Sequence, residues 1–147
     1  MERIVYQSLM SFFASVCFAI IFQVKLKHVV FAGLGGLIGW LIYLLAAYPF
    51  PESNIPRYFF ATIAITIFSE CCARILRSPV TVFLAISLIP LVPGGGIYQT
   101  MMYCIEGNTN LAVKQCISTI GIAGALAIGI VMVSSIVQLI FINRRIK

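Results

Sequence analysis

The sequence predicts an all-α integral membrane protein with five transmembrane helices, the fourth of them broken near the middle of the bilayer. Of its 147 residues, 61% are hydrophobic and only 10% are charged, and the mean hydropathy is +1.07. A soluble domain has about 25% charged residues, so this chain cannot cover a surface that faces water. At about 20 residues for each membrane-spanning helix, its length allows about five spans in a single transmembrane domain.

Short polar or proline-rich corners separate five apolar stretches, which predict spans at residues 4–24, 29–48, 57–76, 79–105 and 112–142. The first stretch is too long for a signal peptide and has no small-residue cleavage motif, so we expect it to remain as a helix. The last stretch would be about 46 Å long at about 1.5 Å per residue. It must therefore tilt in, or protrude from, a hydrocarbon layer about 30 Å thick.

Small residues recur at four-residue spacing in two of the predicted spans. Gly35 and Gly39 form a G-x-x-x-G pair in the second span, and the fifth span carries Gly121, Ala125 and Gly129. Such residues let two helix backbones approach closely. We therefore expect the second helix to pack tightly along one face and the fifth to present a smooth packing stripe.

The distribution of Lys and Arg predicts the orientation of the chain. Seven of these residues lie at one set of span ends and three at the other. Cytoplasmic loops are richer in Lys and Arg, so we expect an inner-membrane protein with its N-terminus outside and its C-terminus in the cytoplasm. A re-entrant hairpin at residues 79–105 would divide the same charges evenly, which favours a fourth span that crosses. The richer set is Lys25, Lys27, Arg74, Arg77, Arg144, Arg145 and Lys147, and the poorer set is Arg3, Arg57 and Lys114.

The segment PLVPGGGIYQ, residues 90–99, interrupts the fourth span with the residues that a helix tolerates least. The two prolines lack an N–H and clash with the preceding turn, and the three glycines permit unusual backbone dihedrals. About 16 Å of helix separates Pro79 from Pro90, so the break is expected near the bilayer centre.

Unwound backbone at that depth is stable only beside protein or water. Free N–H groups from Gly94 to Tyr98 would favour a carboxylate, and the carbonyls of Ile89 and Leu91 a cation or an ammonium group. Discontinuous helices of this kind form the midplane sites of secondary transporters, whereas a plain proline kink is the alternative. The predicted substrate-binding residues are Pro90, Pro93, Gly94, Gly95, Gly96, Tyr98 and Gln99.

Glu70 is the second feature that is unusual inside a membrane. It continues a polar stripe with Thr62 and Thr66, and Arg74 follows one helical turn later. An ionisable residue within a span is costly and is usually functional, so we expect Glu70 and Arg74 to couple or gate transport. A purely structural ion pair between them is the alternative.

Nothing in the sequence predicts an enzyme, a cofactor or a metal site. The single histidine, His28, lies in a corner, and the carboxylates other than Glu70 lie at span boundaries, so no nucleophile with a base is present. The cysteines have no CxxC spacing, and there is no Walker motif. The cations lie at span ends rather than on a face with aromatic residues, which excludes nucleic acid and favours contact with membrane lipid.

The order SECCARILRSP, an apolar half-helix and IPLVPGGGIYQTMMYCIEGN resembles the threonine/serine exporter (ThrE) family. The similarity is greatest to the small, YjjB-like subunit of its split form, which acts with a larger YjjP-like transporter subunit. It extends over essentially the whole chain, and P-L-V-P-G-x-x-x-Y is its most specific part. It implies hetero-oligomeric export of threonine and serine, or of a dicarboxylate such as succinate. The matching positions include Glu70, Arg74, Pro90, Pro93, Gly94 and Tyr98.

We therefore expect a secondary transporter subunit that exports small carboxylates. A five-span unit needs a partner of opposite orientation to complete an inverted repeat, and the larger subunit would supply it. Two alternatives remain: a channel-like pore subunit, and a subunit that only stabilises the complex.

Overall fold

The computed structural model describes the backbone of residues 2–145 and the side chains of residues 2–140, and within these bounds it is helical throughout apart from its corners. Among the described residues, four helices are long and apolar enough to cross a membrane, and a bent pair of shorter helices makes a fifth if it is one broken span. This confirms the predicted all-α membrane fold. The helices are α1 (Glu2–Ile21), α2 (Leu26–Leu45), α3 (Asn54–Ile75), α4 (Val80–Leu88), α5 (Gly94–Ile105) and α6 (Thr109–Arg145), with a short 3₁₀ helix (Ile89–Leu91) between α4 and α5.

Three helices end in the same way, with a left-handed residue that turns the chain sharply. Gln23, Arg77 and Gly107 have φ values of 55°, 48° and 75°. The amide that follows each of them bonds back to a carbonyl five residues earlier, as in Val24 to Ala19 at 3.0 Å. This Schellman geometry satisfies the free carbonyls of a helix end, and it allows very short corners between spans.

The second helix lies at the centre of the bundle and contacts α1, α3 and α4. A Cβ atom built on Gly36 would lie 2.9 Å from Ser15 Cβ on α1, and one on Gly35 would lie 2.9 Å from Ser87 Cβ on α4. The expectation that α2 packs closely along one face is therefore too narrow. Its glycines are distributed around the helix, and they allow close approach on more than one side.

Helices α3 and α6 run parallel. A Cβ atom on Gly121 would lie 3.0 Å from Ile55, and one on Gly129 would lie 3.1 Å from Thr62, so both chains advance in the same direction. The intervening α4–α5 segment must then return the chain to the end where α3 began. Its two helices are bent by 48°, much less than a reversal. The fourth span therefore crosses the bundle and is not a re-entrant hairpin.

Helix α5 and the first part of α6 form an arm that extends past the start of α3, which we term the α5–α6 hairpin (residues 94–120). A Cβ atom on Gly96 would lie 2.5 Å from Thr119, at nearly the level where Ile55 meets Gly121. The rest of α5 continues beyond that level, and its main neighbour is α6. No residue of α5 is buried, so this arm has little support from the other helices.

Candidate functional site

The break in the fourth span is narrower than the sequence predicts. The regular helix α4 stops at Leu88, the chain continues as a 3₁₀ turn, and only Val92 and Pro93 lie outside any helix. Gly94, Gly95 and Gly96 are the first turn of α5 rather than unwound backbone. The prolines set the break because each removes a helical hydrogen bond, whereas glycines cost little in a first turn whose amides have no helical acceptor.

The break leaves unpaired backbone groups on both of its sides. Within the described residues, no backbone carbonyl accepts from the amides of Gly95 and Gly96, and no backbone amide donates to the carbonyls of Pro90 and Leu91. Two expectations are corrected here. The amide of Gly94 bonds to the Val92 carbonyl at 2.7 Å, the amide of Ile97 bonds to the Pro93 carbonyl at 3.2 Å, and the Ile89 carbonyl accepts from the Val92 amide at 3.2 Å, so none of these groups is free.

The break lies at mid-depth in the bundle. A Cβ atom on Gly39 would lie 2.7 Å from Ile65 and 3.3 Å from Leu91, so the 3₁₀ turn is level with the middle of α3. Leu91 has no exposed surface at all. An unpaired carbonyl in such a place is costly unless water or a ligand compensates it, which favours a functional break over a plain kink.

One side of the break opens onto a cavity of about 310 Å³ between α1, α2 and the 3₁₀ turn. This volume is at the lower end of the range for small-molecule sites, about 300–1,000 Å³. The Trp40 Nε1 atom is buried without a partner among the described residues. The cavity is mostly apolar but has a few polar groups, and its lining residues are Tyr6, Gln7, Met10, Ser11, Ala14, Trp40 and Pro90.

The predicted substrate-binding residues fall into three groups. Pro90 lines the cavity, whereas Gly94, Gly95, Tyr98 and Gln99 are exposed on the free side of α5. A Cβ atom on Gly94 or Gly95 would meet nothing within 4 Å. Pro93 and Gly96 are half-buried at the start of α5. This chain alone therefore does not enclose the predicted residues in a single pocket.

The predicted coupling residues, Glu70 and Arg74, form an ion pair apart from the break. Glu70 Oε2 accepts from Arg74 Nη2 at 3.1 Å, and the Glu70 side chain is 10% exposed against 38% for Arg74. Ile65, level with the break, lies about 7 Å from Glu70 along the helix axis. The hydroxyls of Thr62 and Thr66 donate to backbone carbonyls one turn earlier, each at 2.7 Å. The polar stripe is thus satisfied within its own helix.

The predicted packing residues lie at close helix contacts. Gly35 faces Ser87 on α4, Gly39 faces Ile65 on α3, and Gly121 and Gly129 face α3. Ala125 is buried between the last two, with 7% of its surface exposed.

A row of buried serines on α1 is a feature that the sequence interpretation missed. Ser8, Ser11 and Ser15 are all buried against the bundle. The Ser11 hydroxyl donates to the Gly36 carbonyl at 2.9 Å, and hydrogen bonds of this kind hold membrane helices together. The spacing of three and four residues was the available signal, because it puts the three hydroxyls on one helical face.

The membrane-spanning bundle defines a multi-pass membrane protein. Its fourth span is a discontinuous helix, the feature from which secondary transporters form substrate sites near the membrane midplane. The sequence profile of one family, described as "Threonine/Serine exporter, ThrE", matches residues 7–136. The chain therefore belongs to the threonine/serine exporter family, whose members are transporters and not enzymes. Neither the curated proteins nor the solved structures contain a significant match to it.

Proposed function

We propose that this protein is one subunit of a secondary transporter that exports small carboxylate metabolites, with the break of the fourth span as its substrate site. The observation that carries the proposal is the set of unpaired backbone groups at the break, whose carbonyls lie at mid-depth and whose amides lie nearer the start of α3. The Gly95 and Gly96 amides are donors at a helix start, and the Pro90 carbonyl is an acceptor on the other side. The donors at the helix start would hold the carboxylate of an amino acid, and the acceptor deeper in the bundle would hold an ammonium group or a cation.

The substrate class follows from the same geometry. A helix start binds any carboxylate, so the backbone accommodates threonine and serine and also a dicarboxylate such as succinate. Membership in the threonine/serine exporter family supports the amino acids. The buried Trp40 N–H adds a donor beside the cavity at Pro90.

A second subunit would complete the site. The α5–α6 hairpin is apolar on its exposed surface, where Ile97, Tyr98, Met101 and Ile105 are 49%, 65%, 61% and 80% exposed. This surface adjoins the open face of Gly94 and Gly95. We propose that the larger, YjjP-like subunit covers it in the opposite membrane orientation, and that rocking between the two gives alternating access.

The glycine at the open face supplies the test. We expect Gly95→Val to leave the fold of this chain unchanged, because the new side chain meets nothing in this chain. In complexes whose assembly is verified by co-purification, it should lower transport at least about tenfold by obstructing the approach of substrate. Uptake of labelled threonine, serine and succinate into vesicles containing the co-expressed pair measures this. Gly124→Val is the matched control, because that position is also open and lies on α6.

The outcomes separate the competing functions. Normal transport by the Gly95→Val complex would mean that this chain only supports assembly. Unitary currents across a planar bilayer, without saturation by substrate, would identify a pore. Saturable transport that is lost in Gly95→Val and kept in Gly124→Val supports a transporter.

The orientation is also part of the proposal. The corners at residues 22–25 and 76–79 lie at one end of the bundle, which we term the basic end, and we propose that this end faces the cytoplasm. An alkaline phosphatase fusion is active only outside. We expect activity when it is fused before residue 1 and none when it is fused after residue 147. The reverse pattern would overturn the proposed topology.

A further inference from the structure

A cavity of about 240 Å³ lies at the basic end, away from the break and between the two corners of the bundle. Val82 on α4 lines this cavity, and Pro90 lies about 12 Å further along the axis of the same span. Its lining combines polar and apolar side chains: Phe22, Gln23, Val24, Lys25, His28, Ser78, Pro79 and Val82.

His28 is a buried polar side chain in the wall of this cavity. Only 4% of its surface is exposed, and its ring lies edge-on to Phe83 with 5.6 Å between the ring centroids. His28 lies in the first turn of α2 rather than in the expected corner, and its Nε2 is 3.2 Å from the Ser78 hydroxyl, which joins the start of α2 to the corner after α3. Nδ1 is buried and has no partner among the described residues, so the ring keeps an unused polar atom.

Two helix starts also converge on the cavity. Lys25 is the residue before α2 and Pro79 is the residue before α4, and neither gives its helix a side-chain cap. Uncapped helix starts present free amides and a positive dipole end, which favour an anion. The Ser78 hydroxyl is already engaged by the Leu76 carbonyl at 3.3 Å and by His28. The Lys25 ammonium and the two helix starts therefore supply the positive groups that suit the polar half of the cavity to a phosphate group.

The apolar half continues into the membrane. A second cavity, also of about 240 Å³, shares Phe22, Val24 and Val82 with the first and extends along α4 to Ala85 and Ile86. It is lined mainly by apolar side chains and follows α4 away from the corners towards the break. Its apolar lining suits a segment of an acyl chain, whereas a free hydrophilic metabolite would leave it empty.

We propose that these joined cavities bind one anionic phospholipid, with its phosphate between Lys25, Ser78 and the starts of α2 and α4, and with one acyl chain in the groove beside Ala85. The site is distinct from the substrate break and does not depend on what the break transports. A bound lipid would fix the two basic-end corners against each other, because it touches residues of both.

The test uses the full chain, reconstituted in phosphatidylglycerol or phosphatidylcholine vesicles and examined by native mass spectrometry. We expect one phosphatidylglycerol to be retained, and Lys25→Gln to weaken retention at least about tenfold, as loss of a charged hydrogen bond would. Lys27→Gln is the matched control, since it removes the same charge from an exposed side chain outside the cavity. Its effect should not exceed about fivefold, the contribution of one surface cation. Equal losses in the two variants would overturn the proposal.

A second pair of variants examines the acyl groove. Ala85→Trp fills the groove from an exposed position on α4, and Ala127→Trp adds the same bulk to an exposed position on α6. Loss of the retained lipid only in Ala85→Trp supports the site, and equal retention in both would exclude the groove. Inorganic phosphate should not displace the lipid; displacement at millimolar phosphate would show that the cavity takes a free anion instead.

Discussion

Gly35→Ala should lower the free energy of unfolding by about 1–3 kcal/mol, the usual cost of overpacking a filled interior. The new Cβ atom would lie 2.9 Å from Ser87 Cβ and would also collide with the Ser87 hydroxyl. That hydroxyl donates to the Ala32 carbonyl at 3.3 Å, so the same contact includes a hydrogen bond between helices. Neither the new methyl group nor the Ser87 side chain can move far, because α2 is enclosed by three neighbouring helices. Unfolding in mixed micelles with increasing dodecyl sulfate measures the loss.

A second substitution, on α4, can relieve the clash between the new methyl group and Ser87. Ser87→Gly removes the atoms that the new methyl group meets, so the double variant should regain part of the stability lost in Gly35→Ala. Gly124→Ala is the control for helix propensity, because a Cβ atom there would meet nothing within 4 Å. If Gly35→Ala and Gly124→Ala unfold at the same detergent fraction, α2 and α4 are farther apart than the structure places them.

The largest effect on transport is expected for Glu70→Gln. If Glu70 couples substrate movement to protons, the amide should abolish the pH dependence of transport and lower its rate by about 100-fold, equivalent to about 2.7 kcal/mol. The amide keeps the size of the side chain and can still accept from Arg74. The measurement is the initial rate of substrate uptake at several pH values in vesicles containing both subunits.

A control variant distinguishes the loss of proton coupling from the loss of a negative charge elsewhere in the chain. Glu106→Gln removes a carboxylate from the exposed turn after α5 and should change neither the rate nor its pH dependence. A Glu70→Gln protein that folds, transports and keeps its pH dependence would leave Glu70 as a structural partner of Arg74. A variant that transports but no longer concentrates substrate against its gradient would identify uncoupling.

The sequence predicted the helices because their determinants are local. Long apolar stretches must form helices in lipid, where no water satisfies the backbone, and the corners follow from polar residues and prolines. The position of the break was equally local, since Pro90 and Pro93 lack the N–H groups that a helix needs. The number of residues that the break leaves outside a helix was predicted less well. Glycine only permits an open backbone, and Gly94, Gly95 and Gly96 are helical here.

The composition of the candidate site depended on contacts between distant segments. Trp40 and Ser11 border the same cavity as Pro90 only because α1 and α2 approach the 3₁₀ turn. The cavity at Lys25 likewise exists because His28 meets Ser78, which is fifty positions later in the chain. No local pattern predicts such a meeting, since it results from how five helices fill the space between them.

The sequence by itself determined that this protein lies in a membrane, that it is helical and that its fourth span is broken, because solvent and backbone chemistry impose these features residue by residue. Only the tertiary structure decided which groups the break leaves unpaired, how α5 extends beyond the bundle and where the cavities lie. These depend on close approach between helices, which the small residues permit without specifying the partner of each face.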